Sequence, residues 1–494
     1  MVAPAHEHHA LIPNADRSAL LLAGGRLPVV RVQEPVIRAA LTALAREHGV
    51  RAPFLRVIRR AEEGEDVTTL LELDAPAEEP RGEWMPLRAV EPSSIAPVLA
   101  DGVEGWLAEQ SGASIPAERP PWARPGWLAD ACAWVADIAA VRGEPGLVRQ
   151  WPLSAVYRFD TEADALYLKA VFSLFRHEPA VSAALAREHP GAVPDVVATD
   201  TARGWILTRE LRGGYARGES ACDGLRTAAR IHRAWAERAD ELRSLGCHDR
   251  GLGDLRAEAP KLAPLCDRLA DYGIADSIVH GDLHHGNMLV RDDGVAVIDW
   301  SDAAIGQPFL DLAPVLKIGE KQRGALVDAY VEPWPGNGLR EAAAIGEALG
   351  CVYQAISYRA INAAFEPDDQ WLFANQHGEW MERATGSRMG SSRRSGDQRM
   401  VPPSARTTSW ADFLSFFGTS NSHETPFVKS ILRWESMTPL SSSADATSVL
   451  GERARTSSLI FILSMPVSVF TRATSSALTA RYPTLPKFGT SGAP

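Results

Sequence analysis

The sequence predicts an α+β fold: a strand-rich lobe followed by a helical lobe, with a small α/β domain ahead of both. Three observations point there. Between Gly146 and Thr208, short apolar runs are broken by turn residues. From Glu219 to about Glu382, apolar residues recur at helical spacing, with one hairpin inserted. Before about Ile115, one helical segment lies among short strands. Strands segregated from helices in this way leave a cleft between two lobes.

In the first segment, residues 1–115, Ala19–Leu22 and Leu27–Val32 read as strands around a Gly24-Gly25 turn. Pro35 to His48 has helical apolar spacing through Val36, Ala40, Leu41 and Leu44, with Gly49 as its stop. Phe54–Ile58 and Thr68–Leu73 read as further strands. The shape faintly resembles a Nudix fold, but that family's glutamate-rich metal-binding helix is missing. A structural or docking role is therefore expected rather than hydrolysis. His6, His8 and His9 are read as a solvated end of the chain and not as a metal site.

Residues 116–145 form a Pro- and Trp-containing linker and a helix with Trp127, Ala131, Trp134, Val135 and Ile138 on one face. Residues 146–208 hold strands at Leu147–Trp151, Ala155–Phe159, Ala165–Val171, Pro194–Ala198 and Gly204–Thr208, with a helical run to His189. Residues 209–386 make the helical lobe.

Bulk properties narrow the function. The formal net charge of −11 argues against nucleic acid as the partner and suits a cationic small molecule. Cys132, Cys222, Cys247, Cys266 and Cys351 include no C-x-x-C pair, which fits reduced thiols in the cytoplasm. No secretory signal is visible after Met1, and no apolar run is long enough to span a bilayer, so no membrane partner is expected.

The chemistry concentrates in residues 278–300. Met288–Val290 and Val295–Ile298 flank the polar turn Arg291-Asp292-Asp293-Gly294, which is a hairpin signal. Folding that hairpin brings Asn287 beside Asp299, two oxygen-bearing side chains of the kind Mg²⁺ requires. Asp282 lies on the loop entering the hairpin, close to that pair. This geometry suits phosphoryl transfer: a cation neutralises the nucleotide phosphates while a carboxylate orients the attacking hydroxyl. His280, Asp282, Asn287 and Asp299 also match the spacing of the kinase His-x-Asp-x-x-x-x-Asn pattern with its later metal-binding Asp.

His280-Gly281-Asp282-Leu283-His284-x-Gly286-Asn287, Ile298-Asp299-Trp300-x-Asp302 and Gly306-Gln307-Pro308-x-x-Asp311-Leu312-Ala313 closely resemble the aminoglycoside phosphotransferase and choline kinase group. The resemblance covers about Gly146 to Glu382. It implies a two-lobed protein-kinase-like fold, use of ATP and Mg²⁺, Asp282 as catalytic base, and Asn287 and Asp299 as metal ligands. It further implies that Asp311 braces the catalytic loop.

Upstream, Lys169 interrupts an apolar strand. Such a lysine reaches the α- and β-phosphates when a Glu on the next helix holds it, here Glu178, with Glu188 as the competitor. Trp151–Ser154 takes the place of a phosphate-covering loop, and Ser154 offers a hydroxyl or N–H there. Thr208-Arg209-Glu210-Leu211 resembles the hinge that pairs with adenine through backbone groups, at Arg209 and Leu211. His232 is read as a packed histidine. Helices over Ala342–Ala360 and Asp369–Arg383 are expected to wall the acceptor pocket, with Tyr353, Tyr358, Glu366, Asp368 and Asp369 able to hold a cation.

The expected activity is O-phosphorylation of a small molecule: an aminoglycoside-like antibiotic, an amino alcohol or a sugar metabolite. A catalytically weak kinase-fold binding module serving the N-terminal domain is the alternative, disfavoured by intact Lys169, Asp282, Asn287 and Asp299. Protein kinase activity is not expected, since D-F-G and A-P-E segments are absent. About a third of residues 387–494 are Ser or Thr, and Lys and Arg outnumber Asp and Glu about two to one. This tail reads as dispensable, either a disordered extension or an out-of-frame translation, with an anchor through Leu459–Phe470 as the functional alternative.

Overall fold

Strand β1, His6–Leu11, lies inside the sheet of the N-terminal domain. The structure, a computed structural model, describes residues 6–33, 36–63, 66–318 and 322–386. Every reading made above of the tail falls outside the described residues. Strands β2 (Ala19–Leu22), β3 (Val29–Val32), β4 (Phe54–Glu63), β5 (Asp66–Leu73) and β6 (Glu83–Pro86) follow β1. The main sheet runs β3-β1-β5-β4, with β1 parallel to β5 and antiparallel to β3.

The histidine cluster is therefore not a solvated end. His8 is fully buried and its Nδ1 lies 2.6 Å from Thr69 Oγ1 on β5. Burial drives its pKa down to about 4, so it is a neutral core residue. Among the described residues, no three His, Cys, Asp or Glu side chains converge as a metal site would need.

The Gly24-Gly25 turn forms, with Ala23 bridged to Arg26, but the flanking strands do not pair with each other. Strand β2 pairs with β6 instead. All of β2 is buried: Leu21 faces one apolar cluster, and Leu20 and Leu22 face another. A strand covered on both faces takes its place from the layers around it, not from the nearest turn. The helix Ile37–His48 ends at Gly49, which adopts the left-handed conformation.

In the linker helix, Trp127–Ile138, Trp127, Ala131 and Val135 are buried. Ile138 is exposed, contrary to expectation, because the chain leaves the helix there to begin a strand. Strands β7 (Val141–Trp151), β8 (Ser154–Thr161), β9 (Leu166–Val171), β10 (Val196–Asp200) and β11 (Trp205–Arg209) form an antiparallel sheet ordered β10-β11-β9-β8-β7. Helix Glu178–Glu188 follows β9, with Pro179 in its first turn.

The second lobe is mostly helical. It also carries β12 (Gly214–Tyr215), β13 (Ser277–Val279), β14 (Met288–Arg291), β15 (Gly294–Val297) and β16 (Ala304–Gly306). Helix Leu339–Ala364 packs on the turn Pro308–Asp311. Gly346 and Gly350 permit that approach: a Cβ at Gly346 would sit 2.6 Å from Phe309 Cβ, and one at Gly350 2.8 Å from Ala313 Cβ. Where the sequence suggests one helix from Asp369, the structure has a 3₁₀ turn, Pro367–Phe373, then helix Gln376–Ala384.

The N-terminal domain is fastened to both lobes. Arg119, 5% exposed, donates from Nη1 and Nη2 to Glu109 at 2.7 Å and from Nη2 to Glu366 at 2.9 Å. Arg56 of β4 joins Glu109 to Glu72 with two 2.7 Å bonds. Gln150 of β7 donates to the carbonyls of Phe54 and Leu55 on β4 at 2.7 and 2.8 Å. All five cysteines are free thiols. Among the described residues, no helix is long and apolar enough to cross a membrane.

Candidate active site

The β14–β15 hairpin has Met288 opposite Val297, and Ile298 N–H donates to Asn287 O at 3.0 Å. Asn287 and Asp299 consequently stand on the two sides of its mouth. The loop before it is clamped. His280 N and Gly281 N donate to the two oxygens of Asp311, at 2.6 and 2.8 Å. The His280 ring donates from Nε2 to Ile298 O at 2.9 Å and accepts from Asp282 N at 3.3 Å, which fixes its tautomer. Asn287 Nδ2 donates to Asp282 O at 2.8 Å. His232 is fully buried, 2.9 Å from Tyr330 Oη and 3.3 Å from Asp311.

His284 faces Asp282, a neighbour the sequence reading did not assign. Its Nδ1 accepts from Gly286 N at 2.9 Å and its Nε2 lies 3.4 Å from Asp282 Oδ2. Burial acts against a charged ring, but Asp282 outweighs it and raises the pKa.

Lys169, Glu178 and Asp299 meet across the lobes. Lys169 Nζ donates to Glu178 Oε1 at 2.7 Å, Asp299 Oδ1 at 2.5 Å and Ser301 Oγ at 2.7 Å. Glu188 is instead held by Arg238. Ser301 Oγ lies 2.6 Å from Glu178 Oε2 and 2.7 Å from Asp299 Oδ1, with one proton to share between them. Burial opposes the Lys169 charge, yet Asp299 and Glu178 together raise its pKa; burial also pushes Glu178 up. The group is two carboxyls against one ammonium. Asp299 has φ 65°, a left-handed conformation that a non-glycine residue keeps only where its surroundings enforce it.

These residues border a cleft of about 710 Å³, lined by Lys169, Asp282, Asp299, Ser301, Asp302, Gln354, Tyr358 and Phe373. Trp151, Leu153 and Ser154 contribute from the β7–β8 turn. Ser154 Oγ accepts from Trp151 Nε1 at 3.0 Å. Burial pushes the Asp302 carboxyl well up, and Asp282 and Asp299 add to the rise. Asp302 was visible in the motif but without a role. Arg149 also lines the cleft, and the sequence marked it only as part of a strand.

Other expected residues fall elsewhere. Arg209 and Leu211 do not border this cleft. The Arg209 side chain is exposed, and the N–H groups of Arg209 and Glu210 are spent on Asp195 O and Ala165 O. Of the expected cation-holding wall, Tyr358 alone lines the cleft. Tyr353 lies beneath the Arg250 guanidinium, Glu366 is bound by Arg119, and Asp368 is exposed. Asp369 lines a second cleft of about 360 Å³ with Phe54, Trp122 and Trp151.

Residues 123–345, which hold Lys169, Glu178, Asp282, Asn287 and Asp299 but not Gln354, Tyr358 or Phe373, match the model of the phosphotransferase enzyme family, APH. That part of the chain is similar to the phosphotransferase enzyme family. The match supports a small-molecule phosphotransferase in the general sense, with use of a nucleotide. Three solved structures are similar to part of this chain. Macrolide 2'-phosphotransferase type I is 18% identical, with 52% of this chain and 97% of that one covered, at a TM-score of 0.40. A choline/ethanolamine kinase family protein from Mesorhizobium loti is 20% identical, covering 53% and 99%, at 0.39. Choline kinase LicA from Streptococcus pneumoniae is 14% identical, covering 52% and 99%, at 0.41. No curated protein matches the chain.

Proposed function

We propose that this phosphotransferase moves the terminal phosphoryl group of ATP to a hydroxyl of a small molecule: an aminoglycoside-like antibiotic, an amino alcohol or a sugar metabolite. The observation that carries this reading is the meeting of Lys169, Glu178 and Asp299 in one cleft with the clamped Asp282–Asn287 loop. In the proposed step Asp282 orients the acceptor hydroxyl and takes its proton as the oxygen bonds to the γ-phosphorus. The bond to the β–γ bridging oxygen breaks, and ADP leaves.

The donor set fits Mg²⁺. Asn287 turns its amide nitrogen toward the Asp282 loop, which leaves its oxygen as the end a hard cation would meet, and Asp299 supplies a carboxylate across the hairpin mouth. These two residues would hold the ion, which when bound neutralises phosphate charge. Asp282 and Asp299, with Tyr358 and Phe373, favour an acceptor carrying positive charge. Five free thiols fit work in the reducing cytoplasm.

The test is ADP release with Mg²⁺ and ATP over a panel of hydroxyl compounds from the three classes, with phosphorylated product identified by mass. Stimulated release with some acceptor supports the reading. Tight nucleotide binding without product from any class would favour a binding module instead.

A further inference from the structure

Lys169 is held by its neighbours. An ammonium offers three N–H groups, and here Glu178, Asp299 and Ser301 take them. A polyphosphate entering the cleft meets a second cation there, Arg149.

Arg149 sits on β7, two residues before Trp151 and on the same face of the strand. Its guanidinium carbon lies 3.8 Å from the Trp151 ring centroid, so the aromatic ring holds the guanidinium. The residue is 5% exposed and lines the cleft. Among the described residues, its buried Nε and Nη2 have no hydrogen-bond acceptor. The carboxylates acting on it, Asp299 and Asp282, do so from a distance. Burial lowers its pKa to about 10, which leaves it a cation at neutral pH.

Its neighbour shows the contrast. Gln150, facing the other way, gives its amide N–H groups to Phe54 O and Leu55 O and receives the Tyr157 hydroxyl. The buried Gln150 amide is thus satisfied, whereas two charged donors of Arg149 are left unmatched in the cleft of the reacting groups. A buried guanidinium with unmatched N–H groups is costly, and an arriving anion removes that cost. Nε and Nη2 share one edge of the guanidinium plane, which takes two oxygens of a phosphate side-on.

We infer that Arg149 is an anion-binding residue of the cleft that grips the polyphosphate of the bound nucleotide through Nε and Nη2. The nucleotide's identity rests on the proposed function; the anion site does not.

The experiment titrates the full-length protein with ATP, ADP, AMP and inorganic tripolyphosphate, each with Mg²⁺, for wild type, Arg149→Met and Arg149→Lys. Methionine keeps the apolar stem without the charge. It should weaken ATP by roughly 10- to 100-fold, ADP by less and AMP hardly at all, and it should weaken tripolyphosphate as it does ATP. Lysine should restore part of the loss. Equal losses for ATP and AMP would make Arg149 a packing residue, and unchanged ATP and tripolyphosphate affinities in Arg149→Met would overturn the inference. If wild type binds tripolyphosphate but not ATP, the nucleotide reading falls while the anion site stands. If wild type binds neither, the anion site falls.

Discussion

Asp299 and Asp282 lie in the same cleft and should fail in different ways when replaced. Asp282→Ala is expected to lower turnover by roughly 10²- to 10⁴-fold while nucleotide affinity stays within about twofold, read by steady-state kinetics beside calorimetric titration. Asp299→Ala removes an anionic oxygen that a cation would meet and also releases Lys169. Mg²⁺-dependent ATP affinity should fall by about tenfold or more, whereas ATP affinity in chelator should hold or improve. Equal effects of Asp299→Ala with and without Mg²⁺ would remove it from the metal site. These residues were legible because residues 280–299 fold as one local unit, so spacing along the chain translates into proximity. Ser301 and Arg149 were not. Ser301 joins Glu178, 123 positions away, and Arg149 matters only because of the strand face on which it lies.

Among the elements, helix Leu339–Ala364 holds the catalytic loop indirectly. Gly346 and Gly350 seat it on the turn Pro308–Asp311, and Asp311 clamps His280 and Gly281. An added Cβ at Gly350 would overlap the Leu310 carbonyl. Gly350→Ala should cost about 1–3 kcal/mol of stability, measured by urea unfolding, and should lower turnover more than nucleotide affinity. The hairpin and the strands of the middle sheet could be read from apolar runs with marked turns. Strand β1 could not, because its histidines carry no apolar alternation. The pairing of β2 was misread because a Gly-Gly turn says nothing about which layer each strand enters.

For the whole molecule, buried charges between the parts make stability depend on pH and on ion pairing. Burial raises Asp369 to about 7, helped by Glu366 and Asp368 and opposed by Arg56 and Arg119. A raised carboxyl favours the folded state fully below its unfolded pKa near 3.8, and that contribution is lost as pH climbs toward 7. Asp369→Asn should therefore melt like wild type near pH 4. Above pH 7 it should be more stable, by on the order of 1–2 kcal/mol, because the carboxyl faces an open cleft that screens it. Arg119→Met leaves Glu366 without its arginine and should cost roughly 3–5 kcal/mol, visible as a large drop in melting temperature.

The same arginine has a bearing on inheritance. The family match begins at residue 123, four positions after Arg119, and leaves out the β4 carbonyls that receive Gln150. A recombination event that carried only the matched span into another gene would leave behind both Arg119 and its partner Glu366 and deliver the Gln150 amide stripped of its acceptors. The piece that keeps these bonds is longer than the piece that can be recognised, and a transfer that respects them takes the first domain along with the cleft.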